Sequence, residues 1–169
     1  MPQVEARIRI AVSPAVAFAV SQTTGETRLR WDPFIRRQHF LDGATRADRG
    51  VRTFTRSRHG LSMISRYVSY APPTPSRDVG NVGMTMDRGP WFFETFGGGW
   101  RFVADGEGGT EATWKYTFSC RPAWLRPLLH PVGSWLLGRD IRRRIAGFAR
   151  GCTDPEVLAA VRGAEADSD

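Results

Sequence analysis

Lysine is almost missing from this sequence: Lys115 stands alone against 23 arginines. The arginines are scattered through every segment, so the net charge of +7 reads as the compositional bias of a GC-rich genome. A nucleic-acid footprint would gather its cations on a docking element, and no nucleic-acid partner is expected. Arg142-Arg143-Arg144 is the one cluster, and it reads as a solvated helix face. Cysteine is nearly as scarce. Cys120 and Cys152 form no CxxC pair, which points to reduced thiols in a cytoplasmic protein rather than a disulfide framework. His39, His59 and His130 fall at no spacing that suits zinc, and neither metal nor cofactor is called for. There is no GxSxG elbow, no GxxxxGK[ST] and no GxGxxG; Gly97-Gly98-Gly99 reads as a bulge or sharp bend in a strand. No apolar run approaches the ~20 residues of a membrane span. Nor does the charged alternation Glu5, Arg7, Arg9 resemble a signal peptide.

What is present is periodic. Val4 to Val12 alternates with Val4, Ala6, Ile8, Ile10 and Val12 on one face, which predicts a strand. Ser13-Pro14 supplies a cap and a first-turn proline for a short helix to Ser21, and a second short helix over Glu26 to Trp31 ends at Asp32-Pro33. Six further strands follow, at about Arg37–Leu41, Val51–Arg58, Leu61–Tyr70, Arg77–Met86, Trp91–Asp105 and Thr110–Arg121, separated by Gly- and Pro-rich turns. An odd-numbered loop at Gly106–Gly109 would put Trp100 and Phe102 on the same face as Trp114 and Tyr116. Ala123 to Arg150 then predicts a long helix, with a lead-in to Leu129 and Pro131 near the start of the main segment. Its buried face would be Leu125, Leu128, Leu129, Val132, Trp135, Leu136, Ile141, Ile145 and Phe148. The class is α+β in one domain over residues 1–152, followed at 153–169 by a short helix capped at Thr153-Asp154-Pro155 and a frayed acidic end, Glu165 to Asp169.

Three stretches carry a resemblance: the opening strand running into Ser13-Pro14, the step Trp31-Asp32-Pro33-Phe34, and the end of the sheet, Gly99-Trp100-Arg101-Phe102 with Gly109-Thr110-Glu111-Ala112-Thr113-Trp114. With the order of elements, they resemble the START-like helix-grip (SRPBCC) superfamily, in its polyketide cyclase/dehydrase-like branch. The resemblance implies a bent seven-stranded antiparallel sheet gripping the long C-terminal helix around an apolar cavity. It implies binding of lipids or polyketides, with ring closure or dehydration in a minority of members, and it names no universal catalytic residue.

On that fold the concave face offers Trp31, Phe34, Met63, Tyr67, Met84, Met86, Phe93, Trp100, Phe102, Trp114, Tyr116 and Trp135 as cavity lining. Such a wall suits a hydrophobic small molecule, and its methionines adapt to irregular shapes. A carrier or sensor of such a molecule is the first reading. A polyketide cyclase or aromatase is the alternative, and it would need an inward polar group; Arg66, Tyr67, Asn81 and Tyr116 are the candidates, Arg66 reading rather as surface. A third reading fills the grip with its own side chains and leaves a structural or partner-binding domain. No catalytic residue and no oligomeric state follow from the sequence.

Overall fold

The computed structural model describes residues 1–166. The chain runs β1 (Gln3–Ile10), α1 (Pro14–Ser21), α2 (Gly25–Trp31), β2 (Ile35–Phe40), β3 (Arg52–Ser57), β4 (Ser62–Ala71), β5 (Val79–Arg88), β6 (Phe93–Ala104) and β7 (Thr110–Cys120). A single 3₁₀ turn at Ala123–Leu125 leads into α3 (Arg126–Gly151), and α4 (Pro155–Ala166) follows. The seven strands form one antiparallel sheet in the order β1-β7-β6-β5-β4-β3-β2. This is the α+β helix-grip architecture. Ser13 caps α1 by accepting from the Val16 amide, as Ser-Pro at a helix start should.

Five residues, Asp105 to Gly109, connect β6 to β7, so the loop is odd. Trp100 pairs with Trp114, Phe102 with Ala112 and Gly98 with Tyr116, and the aromatic residues share the concave face. The Trp100 and Trp114 rings stack with centroids 4.1 Å apart.

Several expectations are corrected. Gly97 to Gly99 stay in register with Thr117, Tyr116 and Lys115; the irregularity in this strand pair falls at Phe93/Thr95. The glycines serve clearance instead: a Cβ on Gly98 would lie 2.9 Å from the Tyr116 ring, and one on Gly99 2.5 Å from the Val82 carbonyl oxygen. The lead-in is only the one 3₁₀ turn at Ala123–Leu125 and does not extend to Leu129; α3 begins at Arg126, and Pro131 lies inside it. The missing donor there leaves the carbonyl of residue 127 without its intrahelical partner, on a stretch where Leu128 faces solvent. The predicted face is fully buried only in the second half of α3, at Ile141, Ile145 and Phe148. Leu125 and Leu129 are half-buried, Val132 and Leu136 are exposed at the open side of the cavity, and Leu128 and Trp135 are exposed.

Two glycines explain how the second half docks. A Cβ on Gly147 would overlap the Trp31 carbonyl oxygen, and one on Gly151 would sit 2.8 Å from the Trp31 side chain. Their absence lets the end of α2 press onto α3. Helix α4 belongs to the same core as the rest, through buried Val157 and Val161. Glu165 lies within it, and residues 167–169 of the expected frayed end fall outside the described residues.

Candidate functional site

Two apolar clusters share the concave side of the sheet. The larger gathers α1, α2, the second half of α3 and α4 around Phe102, Trp114 and Phe148. The smaller gathers Phe93, Phe118 and Cys120 under Leu129 and Leu137. Between them lies a cavity of ≈ 690 Å³, within the usual range for small-molecule sites. Alternation along β4 turns Met63, Ser65 and Tyr67 toward it; β5 contributes Met84 and Met86, and β6 contributes Phe93, Phe96 and Trp100. Trp114 and Tyr116 of β7, Phe34, and Leu129, Val132, Gly133 and Leu136 of α3 complete the apolar wall. Gly98, between Phe96 and Trp100 on the concave face, carries no side chain, and the ring of Tyr116 opposite packs where one would lie.

Nine of the twelve sequence-derived lining residues therefore border the cavity: Phe34, Met63, Tyr67, Met84, Met86, Phe93, Trp100, Trp114 and Tyr116. Three do not. Trp31 is buried beneath α3, its ring 5.6 Å from Phe148 and its Nε1–H donating to Thr23 Oγ1. Phe102 is fully buried between Trp100, Phe18 and Phe148, one step beyond the cavity end. Trp135 is 62% exposed, because α3 turns that face outward before its second half docks. Of the polar candidates, Tyr67 and Tyr116 face inward. Arg66 is exposed and paired with Asp87, and Asn81 is exposed on the convex face.

The polar end of the cavity rests on residues whose role the sequence reading missed. Asp32, fully buried at the end of α2, accepts from Arg28 Nε at 3.0 Å and from the Phe34 amide at 3.1 Å. It also accepts from Arg144 Nη2 at 2.7 Å and Arg144 Nε at 3.1 Å. Arg144 Nη1 donates to the Tyr116 hydroxyl at 2.7 Å. The Arg144 guanidinium lies over the Trp114 ring at 4.4 Å and the Phe34 ring at 4.7 Å, a cation–π seat on both. Arg144 is thus not part of a solvated arginine face: it lies three residues after Ile141 and four before Phe148, on the buried stripe of α3. That spacing was the available signal, together with the i,i+4 pair Arg28–Asp32.

Burial alone would raise the Asp32 carboxyl, but Arg144 and Arg28 outweigh it and hold it below the usual carboxylate range. Burial likewise opposes charge on Arg144, and Asp32 beside it keeps the guanidinium above its ordinary value. Desolvation lowers Arg28, against the opposing pull of Asp32 beside it. Burial pushes the Tyr67 and Tyr116 hydroxyls up to about 12, so both are neutral donors. Tyr67 donates to Gln22 Oε1 at 3.1 Å. Gln38 Oε1, also in the wall, is buried and has no hydrogen-bond partner among the described residues.

A second depression, of ≈ 890 Å³, lies on the convex face among Arg7, Arg9, Arg101 and Lys115. Ion pairs of Arg9 with Asp105 and of Lys115 with Glu5 cross it, and it has the character of an ordinary charged surface. Among the described residues no His/Cys/Asp/Glu group has metal-holding geometry, and no helix is long and apolar enough to cross a membrane.

Residues 1–152 match the family described as polyketide cyclase / dehydrase and lipid transport. No curated protein sequence matches the chain. Among solved structures it is similar to a protein of Thermus thermophilus (TTHA0849), with 15% identity, TM-score 0.68, and coverage of 94% of this chain and 99% of that one. A START superfamily protein from Mycobacterium smegmatis matches at 13% identity and TM-score 0.67, covering 87% of this chain and 94% of that one. The Zhui aromatase/cyclase from Streptomyces sp. R1128 matches at 14% identity and TM-score 0.62, covering 95% and 93%. At these identities the structures speak for the fold alone, and it is the family match over nearly the whole chain, joined to the gripped helix and its cavity, that places this protein in the polyketide cyclase/dehydrase and lipid-transport family.

Proposed function

We propose that the protein binds a hydrophobic small molecule, lipid- or polyketide-like, in the cavity between the sheet and α3. The supporting observation is the ≈ 690 Å³ that its own side chains leave unfilled between two close-packed clusters. Protein interiors pack to crystal density, and a void this large is kept open at a cost in lost contacts. The test is an equilibrium titration with N-phenyl-1-naphthylamine, a neutral apolar probe whose emission rises in dry surroundings. Saturable one-to-one binding is expected. No saturable signal up to the solubility of the probe overturns the reading.

The Tyr116–Arg144–Asp32 group favours a second reading, a cyclase or aromatase acting on a polyketide-like substrate. In an intramolecular aldol closure the enol carbon of the substrate would attack a carbonyl carbon, whose C=O π bond breaks onto oxygen; the neutral Tyr116 hydroxyl would protonate that oxygen and recover a proton from the enol O–H, while Arg144 would stabilise the phenolate charge developing in between. Tyr116→Phe should then keep probe affinity and lose turnover of a poly-β-carbonyl substrate. Cyclisation by the wild type no faster than in buffer ends this reading.

A further inference from the structure

We propose that the ligand is an amphipathic anion, its acidic group seated against Arg28, Arg144 and Tyr116 and its apolar body lying along the methionine and aromatic wall. This rests on the ligand-binding reading above and narrows it to one chemical class.

The argument is a charge and donor count at the polar end. Asp32 already accepts four N–H groups, from Arg28, twice from Arg144, and from the Phe34 backbone. One carboxylate thus serves two guanidiniums in ion-pair contact at a buried site, and Asp140 acts on Arg144 only through space, without an ion pair. Arg28 Nη1 donates to the Ser21 carbonyl, while among the described residues no protein acceptor meets Arg28 Nη2. The Tyr116 oxygen accepts from Arg144 Nη1, which leaves the hydroxyl proton to be given to a further acceptor. All three side chains border the cavity.

The rest of the wall leans the same way. Asp140 on α3 is the one carboxylate among the lining residues, near Arg139 and Arg143, so the lining sets four guanidiniums against one carboxylate, with Asp32 behind it. A cationic head group would meet repulsion at the polar end. A neutral one would leave one of the two buried guanidiniums sharing a carboxylate with the other, a state that an anion in contact relieves. An anion completes the set, in the bidentate or forked geometry that guanidinium favours.

The test uses two probes with the same ring skeleton, 8-anilinonaphthalene-1-sulfonate and the neutral N-phenyl-1-naphthylamine, titrated into the intact protein at near-physiological salt. The sulfonate is expected to bind about tenfold more tightly or better. Arg144→Gln should bring the two affinities together by weakening the sulfonate alone. The pair Arg142→Gln/Arg150→Gln, exposed on α3 and outside the cavity lining, removes as much charge from the surface and should leave the preference in place. Equal affinities, or tighter binding of the neutral probe, in the wild type overturn the inference while the cavity reading stands. A preference that vanishes in the Arg142/Arg150 double variant also overturns it, and that variant decides the matter if Arg144→Gln does not fold. Failure of both probes to bind removes the ligand-binding reading itself.

Discussion

Replacing Asp32 by asparagine removes a single charge and no volume, and its cost follows from the four bonds the carboxylate accepts. The asparagine oxygen can keep the Phe34 amide and Arg144 Nε. Its NH₂ group must then face Arg28 Nε and Arg144 Nη2, setting donors against donors at a fully buried position. Breaking a buried ion pair by removing one partner costs about 3–5 kcal/mol, because the remaining charges lose their compensation. With a urea slope of about 2 kcal/mol/M, a loss of about 4 kcal/mol lowers the urea midpoint by about 2 M. The assay is urea unfolding followed by tryptophan fluorescence and far-UV circular dichroism. Asp87→Asn is the control, since it breaks the exposed Arg66–Asp87 pair and should cost less than about 1 kcal/mol. The linkage has a definite sign. The folded Asp32 pKa lies below its unfolded value of about 3.9, so its stabilisation is complete above that pH and is lost as pH falls through the folded value. Asp32→Asn should therefore flatten the acid limb of the stability curve. A loss at neutral pH no larger than that of Asp87→Asn would refute the reasoning.

At the alkaline end, Tyr67 and Tyr116 titrate at about 12 in the folded protein and at about 10 unfolded. Their contribution is intact below pH ~10 and declines as pH rises toward ~12, by up to about 3 kcal/mol each; urea unfolding between those limits measures it, and Tyr116→Phe should remove its share of the slope. Gly147→Ala should destabilise by about 2–3 kcal/mol in calorimetry despite alanine's better helix propensity, because the new methyl meets the Trp31 carbonyl and Pro33 Cδ. Trp135→Ala should shift stability by no more than about 0.5 kcal/mol, as for an exposed residue; a cost of several kcal/mol would return Trp135 to the core.

The sheet was legible because its signals are local. Thr110 to Cys120 alternates without a break, and an odd β6–β7 loop is enough to align Trp100 with Trp114. The long helix was legible in extent and not in facing. Leu128, Val132, Trp135 and Leu136 continue the apolar rhythm of Ile141 and Ile145, but periodicity cannot tell where a helix leaves the core. Trp31 and Phe102 look like any other aromatic of the concave set, and only tertiary packing places them beyond the cavity end. Arg144 was hidden by its neighbours: in a run of three arginines one expects solvent, while helical spacing already put the third beside Ile141 and Phe148. Its partner Asp32 lay in the Trp-Asp-Pro step, where the proline explained the helix end and nothing asked what the carboxylate bonds.

The central claim, that the space under α3 is a ligand site, is tested most directly by blocking it from inside. Ser65 borders the cavity from β4 beside Met63 and Tyr67, and a tryptophan there would enter empty volume rather than packed core. The measurement is the affinity of Ser65→Trp for N-phenyl-1-naphthylamine, with Trp135→Ala as the comparison on the exposed face of α3. The account predicts at least about a tenfold loss for Ser65→Trp, with the fold retained, and no change for Trp135→Ala. Undiminished binding in Ser65→Trp, with loss in Trp135→Ala, would place the probe on the outer helix surface and contradict the account.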